Sequence, residues 1–240
     1  MTRHLFMKEY EQYLKYSGTI ALSSMSKADL TNLVQRGESS FLEFKQKVAS
    51  PEKLAREIAA FANTEGGVIL VGVSDKGELI GLETYLEEEF WLKKAAEEEC
   101  IPPVDITLEL FQMGQRDILI VGVPESPEKP VQVKAGKSNK LRKVFVRVED
   151  ASVEASDEYI QFLKQGGAPH GVTFEYGEKE QILFRYLKEY SVITVSDFSN
   201  IAYINSYRAT KILLNLVSAG VLDLFEKDGK AHYTFSVKST

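Results

Sequence analysis

AFANTEGGVILVGVSDKGELIG, residues 60–81, is the stretch whose reading decides the fold. Its first residues continue an apolar stripe from upstream, because Leu54, Ile58, Phe61 and Ala62 recur at helical spacing. Gly66 and Gly67 stop that helix. VILVGV, residues 68–73, is an uninterrupted apolar run of the length of a buried strand, and SDKG after it is a turn. Upstream, Ser50 and Pro51 read as an N-cap with proline at the first helical position. FLEFK alternates in period two and predicts a strand from about Phe41 to Lys45. Before it, Ser26 and Asp29 form a capping-box variant that opens a helix ending before Gly37.

Downstream, residues 84–99 read as an acidic helix in which Glu87–Glu89 and Glu97–Glu99 form a solvated face, with Trp91 in the core. Strands follow at about 104–112 and 117–123, then a hairpin over about 131–148, then a helix from about Ser156 to Lys164 that closes the domain. This order predicts an α/β (α+β) domain with a small mixed sheet. GGAPHG, residues 166–171, interrupts the pattern. Beyond it come three helical stretches and two strands around KDGK, the order of an α+β winged helix-turn-helix. The expected organisation is a helical arm at 1–25, a domain at 26–167, a linker at 168–177 and a second domain at 178–240. In the arm, Leu5, Phe6, Tyr10, Tyr13 and Leu14 mark a short helix over 4–16 that packs on its own domain or swaps onto a second subunit.

Composition narrows the function. The chain has 240 residues with 29 basic and 35 acidic side chains, net −6, so a wholly basic nucleic-acid binder is excluded and a local basic patch is not. One cysteine, Cys100, excludes an internal disulfide framework and a cysteine zinc site. His4, His170 and His232 share no ligand spacing. No apolar run approaches the roughly 20 residues of a membrane span, and a soluble cytoplasmic protein is expected.

GESSFLEFK (37–45) together with residues 60–81, KPVQVK (129–134) and VFVRV (144–148) resembles the Schlafen-type AlbA domain over about residues 26–165. The resemblance implies a DNA-binding domain of bacterial transcriptional regulators, a family formerly labelled a divergent ATPase domain and often followed by winged-helix modules. One departure is that Arg147 is followed by Val148 and Glu149 where members usually have glycine. The resemblance also implies an alternative activity, since Glu38, Glu43 and Asp75 match positions of an acidic nuclease site in vertebrate Schlafen proteins. Three carboxylates can hold Mg²⁺ or Mn²⁺, and Lys45 could hold a phosphate. The other reading of these acids is local, Glu38 capping or pairing with lysine and Asp75 serving its turn.

The residues themselves carry a separate signal. Lys129, Lys134, Lys137, Lys140, Arg142, Lys143 and Arg147 place seven positive charges on the hairpin with no acid among them. Such a patch attracts phosphate backbones. Asn205, Ser206, Tyr207, Arg208, Thr210 and Lys211 open the third helix expected in the second domain, where Asn and Arg could contact base edges, and Lys227 and Lys230 sit on its wing. Gly136-Lys137-Ser138 ends like a phosphate-binding loop, but Val131 stands where the first glycine belongs, which argues against ATP hydrolysis. Asn63, Thr64, Gly66 and Gly67 read as a close backbone turn. The expected function is a DNA-binding transcriptional regulator that needs no cofactor, meets DNA rather than RNA and forms a homodimer. The alternatives are a metal-dependent nuclease on structured RNA or DNA, and a protein-interaction module without nucleic-acid binding.

Overall fold

The computed structural model describes residues 20–48, 50–135, 141–166 and 177–236. The expected arm helix, the expected linker up to residue 176, and Lys137 and Lys140 lie outside them. The chain divides into two compact units, Met1–Ser152 and Val153–Thr240.

The first unit runs β1 (Ala21–Leu22), α1 (Lys27–Gln35), β2 (Leu42–Lys45), α2 (Pro51–Asn63), β3 (Gly67–Val71), α3 (Leu86–Lys94), a π-helical turn Ala95–Glu99, β4 (Cys100–Ile101), β5 (Thr107–Met113), β6 (Arg116–Val123), β7 (Gln132–Lys134), β8 (Arg142–Val148) and β9 (Ala151–Glu154), within which the division falls. A five-stranded mixed sheet has the order β1-β5-β6-β3-β2, with β2 parallel to β3 and β3 antiparallel to β6. A second sheet has the order β4-β7-β8-β9.

Local chemistry explains the elements. Ser26 accepts from the Asp29 N–H, and the Asp29 carboxylate accepts back from the Ser26 N–H, so α1 starts there. Ser50 caps α2 by accepting from the Lys53 N–H. β3 is buried on both faces because its side chains alternate between two cores. Ile69 and Val71 join α2, β6 and the second sheet, whereas Leu70 joins Leu30 and Val34 of α1. The turn between α2 and β3 needs both its glycines. Gly66 has φ +75° and a Cβ there would fall 2.7 Å from the Val123 carbonyl oxygen, and a Cβ on Gly67 would fall 2.4 Å from the Phe61 ring.

Helix α2 lies between the two sheets, and residues Ile58–Asn63 are all buried. Asn63 closes this layer. Its amide nitrogen donates to the carbonyls of Val131 (2.9 Å) and Phe145 (2.8 Å), and its Oδ1 accepts from the Val131 N–H at 2.7 Å. Its place in the turn is thus joined by a cross-link to the second sheet. Cys100 is buried against the Ala55 carbonyl, and burial pushes its thiol up to about 12.

The second unit contains α4 (Asp157–Lys164), α5 (Glu178–Tyr190), α6 (Val195–Ala202), α7 (Ser206–Ser218), β10 (Leu222–Lys227) and β11 (Lys230–Phe235). Leu183, Leu187, Phe198, Leu213, Leu216 and Tyr233 form its core. Asp228 (φ 52°) and Gly229 (φ 70°) supply the two left-handed residues of a tight two-residue hairpin. Ile193 and Tyr233 exchange backbone hydrogen bonds at 3.0 and 2.9 Å, tying the segment before α6 to that hairpin.

Three sequence expectations are corrected. The helix expected to close the first domain, α4, packs with the second unit. Its cap Ser156 donates its N–H to Glu226 Oε1 at 2.8 Å, and Phe162 lies on that unit's core. Glu88 and Glu89 are buried rather than solvated, because Lys93 one turn on donates to Glu89 Oε1 at 2.8 Å. Strands β1 and β9 are found where the sequence pattern predicts none. Among the described residues no helix is long and apolar enough to cross a membrane.

Asn63→Ala strands a buried N–H and two carbonyls, so it should cost about 3 kcal/mol or more of unfolding free energy in denaturant titrations. A loss below about 1 kcal/mol would show that the cross-link is not holding the layers together.

Candidate functional site

The acidic motif and the basic hairpin meet in one cluster. Period-two alternation along β2 puts Glu43 and Lys45 on one face, and Phe44 on the other, in the core with α1. Glu57 of α2 and Arg147 of β8 approach the same face. Arg147 Nη1 donates to Glu43 Oε2 (2.9 Å), Glu57 Oε2 (3.1 Å) and Ser152 Oγ (3.1 Å), and Nη2 donates to the Ser39 carbonyl at 2.8 Å. The guanidinium carbon sits 4.5 Å from the centre of the Phe61 ring. Lys45 Nζ pairs with Glu43 Oε1, and Ser152 Oγ donates to Glu57 Oε2.

Glu38 reaches this cluster from the loop before β2. β2 is an edge strand, and Glu38 Oε1 accepts from the Phe44 N–H at 2.8 Å. Burial raises the Glu38 pKa above the ordinary 4.5, and neighbouring Glu43 pushes the same way, while the Phe44 N–H and the Lys45 ammonium oppose them.

The structure therefore brings Glu38, Glu43, Lys45 and Arg147 together and leaves Asp75 apart. Asp75 lies on the exposed turn after β3, and no hydrogen bond or ion pair among the described residues joins it to Glu38 or Glu43. Among the described residues no group of three His, Cys, Asp or Glu side chains is placed to hold a metal ion. Both oxygens of Glu43 are held by cations of the chain itself, so this donor set does not fit Mg²⁺ or Mn²⁺ as arranged.

Of the hairpin cations expected to meet phosphate, Arg147, Lys129 and Lys134 are bonded within the unit. Arg147 is 6% exposed and both its terminal nitrogens are engaged as described above, while its Nε has no hydrogen-bond partner among the described residues. Lys129 Nζ donates to the Thr64 carbonyl (2.8 Å) and to Glu125 (2.6 Å), which pins the α2–β3 turn. Lys134 Nζ donates to the Glu98 carbonyl. Arg142 is exposed, with one contact to Gln132 Oε1 at 3.5 Å, and Lys143 is half-buried.

In the second unit the expected residues lie together on the surface. Asn205 Oδ1 accepts from the Arg208 N–H at 2.9 Å and caps α7. Ser206, Tyr207, Arg208 and Lys211 are exposed, and Arg208 and Lys211 have no ion pair among the described residues. Thr210 is buried and faces inward. Tyr203, in the turn between α6 and α7, is 94% exposed and Tyr207 is 75% exposed. Lys227 and Lys230 flank the hairpin turn, both exposed.

Sequence reasoning missed Glu57, Ser39 and Ser152. Only Glu57 carried a signal, as the polar residue one helical turn before Phe61.

Residues 38–156 match the protein family described as Schlafen, AlbA_2. Two solved structures are similar to the chain. The crystal structure of the DIP2311 protein from Corynebacterium diphtheriae is 17% identical with a TM-score of 0.40, covering 78% of this chain and 35% of that one. The solution structure of the N-terminal domain of a RecG-related protein from Nitrosomonas europaea is 22% identical with a TM-score of 0.37, covering 53% of this chain and 93% of that domain. The chain thus spans about a third of the length of the first.

Two outcomes follow from the cluster. Arg147→Met leaves buried Glu43 with Lys45 alone and half-buried Glu57 without its cation, and should cost about 3–5 kcal/mol in chemical denaturation, most of it recovered when Glu43→Gln and Glu57→Gln are added. No recovery in the triple variant would mean that Arg147 acts through packing rather than charge. Because the folded-state pKa of Glu38 is raised, the ionised carboxyl destabilises the fold as pH rises through 4.5 toward the folded value. Glu38→Gln keeps an acceptor for the Phe44 N–H and should raise the melting temperature at pH 7, with the gain vanishing below pH 4.5. A gain that grows on acidification would contradict this sign.

Proposed function

We propose that this chain, which belongs to the Schlafen AlbA_2 family through residues 38–156, is a DNA-binding transcriptional regulator of the cytoplasm. Family membership supports a nucleic-acid-related function for the first unit. The finer reading is that the second unit is a winged helix-turn-helix in which α7 enters the major groove and the β10–β11 hairpin is the wing. A pair of copies would then meet two-fold-related half-sites.

The observation that carries this reading is the exposed start of α7. The chain is acidic overall, yet no acid occurs between Asp197 and Asp223. That stretch presents Arg208 and Lys211 without ion pairs, one helical step apart, beside two exposed tyrosines. Exposed cations with no partner retain their full attraction for phosphate and base edges, unlike Lys129, Lys134 and Arg147, which are bonded within the first unit. α6 and α7 are joined through Tyr203 in the left-handed conformation, a sharp turn of the kind a helix-turn-helix uses. Lys227 and Lys230 lie at the hairpin tip, where a wing touches backbone.

The nuclease reading is not adopted, because Glu43 is neutralised by Lys45 and Arg147 and Asp75 is not gathered with it.

The test is duplex DNA binding by fluorescence anisotropy over a salt series. Arg208→Ala with Lys211→Ala should weaken binding by roughly 10-fold or more and reduce the salt slope by about 1 to 2. Lys227→Ala with Lys230→Ala should lower the slope without changing sequence preference. Wild-type binding and slope in the α7 double variant would remove this helix from the reading.

A further inference from the structure

Beside the acid cluster lies a second group of cations in the first unit, of which only Lys45 also belongs to that cluster. Lys45 ends β2 and Lys47 follows two residues later. Lys53 and Arg56 stand three residues apart on α2 and therefore share a side of that helix. With Glu57 and Ser152 they line a cavity of about 300 Å³.

The charges in this cavity do not cancel. Lys45 is paired with Glu43. Lys47, Lys53 and Arg56 are exposed and have no ion pair among the described residues. The Lys47 charge is felt at buried Glu88, where it opposes the upward pull of burial on that carboxyl. The Arg56 guanidinium lies 5.5 Å from the centre of the Phe145 ring, which orients the group without neutralising it. Glu57 is the cavity's one carboxylate, and its Oε2 already accepts from Arg147 and Ser152. Three unpaired cations converge on a concave space, in a chain whose net charge is −6.

We propose that this cavity binds the phosphate group of a nucleotide, either free or within a nucleic-acid strand. A phosphate group, doubly charged in a free monoester and singly charged within a strand, offers several acceptor oxygens to one guanidinium fork and two or three ammonium groups, more than a single carboxylate does. The volume exceeds that of a bare phosphate and leaves room for part of the attached nucleoside. The site belongs to the other unit from α7 and uses other residues, so either proposal can fail alone.

The experiment uses the full chain. Calorimetric titration with AMP, and with adenosine as the phosphate-free control, tests the free source. A labelled short single strand, followed by anisotropy in the Arg208→Ala, Lys211→Ala background, tests the strand source with α7 disarmed. AMP or the strand should bind and adenosine should not. Lys53→Ala with Arg56→Ala should weaken that binding about tenfold or more, with unchanged thermal melting. Lys27→Ala, on α1 across the sheet, should leave it unchanged. Lys47→Glu, outside the helix, repeats the test should the double variant fold poorly. Binding of AMP identifies a free nucleotide as a source, and binding of the strand alone assigns the site to nucleic acid. Absence of both, or wild-type affinity in the folded double variant and in Lys47→Glu, overturns the proposal.

Discussion

Burial of one guanidinium organises the first unit. Arg147 comes from β8, yet its donors end on the loop before β2, on β2 itself, on α2 and on Ser152 in β9. Three pieces of chain that are distant in sequence, the Ser39–Glu43 stretch, α2 and the β8–β9 hairpin, are fixed by one planar fork. Removing such an ion from water costs several kcal/mol, which the geometry must return through hydrogen bonds and opposite charge. Here two carboxylates, a hydroxyl, a carbonyl and the face of Phe61 do so together. The requirement runs backward as well. Glu43 is 5% exposed on an edge strand, and Arg147 and Lys45 supply the opposite charge beside it.

That arrangement changes what the basic hairpin means. Seven cations without an intervening acid looked like an electrostatic surface, because charge counting treats every lysine and arginine as solvated. Three of them are structural. Arg147 is inside the acid cluster, Lys129 braces the Thr64 carbonyl and Glu125, and Lys134 meets the Glu98 carbonyl. Cations that bond to carbonyls and buried acids no longer release counterions from a phosphate backbone. Arg142 stays exposed on the hairpin, and exposed cations with no ion pair among the described residues lie on the start of α7 and around the Lys47–Arg56 cavity. Neither place stands out by charge density along the sequence, since the cavity joins residues from a loop and a helix face.

Legibility followed the range of each interaction. Caps and turns were readable because they are local, and Ser26–Asp29, Ser50 with Pro51, and the Gly66–Gly67 stop are where residue chemistry put them. The double burial of β3 was readable from its unbroken apolar run. The order of the strands was not, since β5 and β6 insert between β1 and β3 through pairings that no short-range pattern encodes. The same limit explains α4. Its amphipathic pattern announced a helix, but its partner is decided by Glu226, seventy positions along the chain from Ser156. At the site, Glu38 and Glu43 were found by motif and Lys45 by proximity. Glu57 stayed hidden because its role comes from a residue ninety positions away.

The acid cluster also shows why a motif's residues and a motif's chemistry can separate. A divalent cation among carboxylates needs at least one acid with a free lone pair facing the ion, and it competes with any ammonium already there. Glu43 offers one oxygen to Lys45 and the other to Arg147, so a metal there would compete with two covalently tethered cations for its charge. Tethering favours the incumbents, since their translational entropy was lost on folding. Glu38 is held differently. Its Oε1 closes the open edge of β2 at Phe44, and its raised pKa reflects burial beside a second acid. A group in that position loses stability when it ionises, and its retained use is to satisfy a backbone N–H that no neighbouring strand covers. The two glutamates thus answer two different demands of the same edge strand, one for a hydrogen bond and one for charge balance with Arg147.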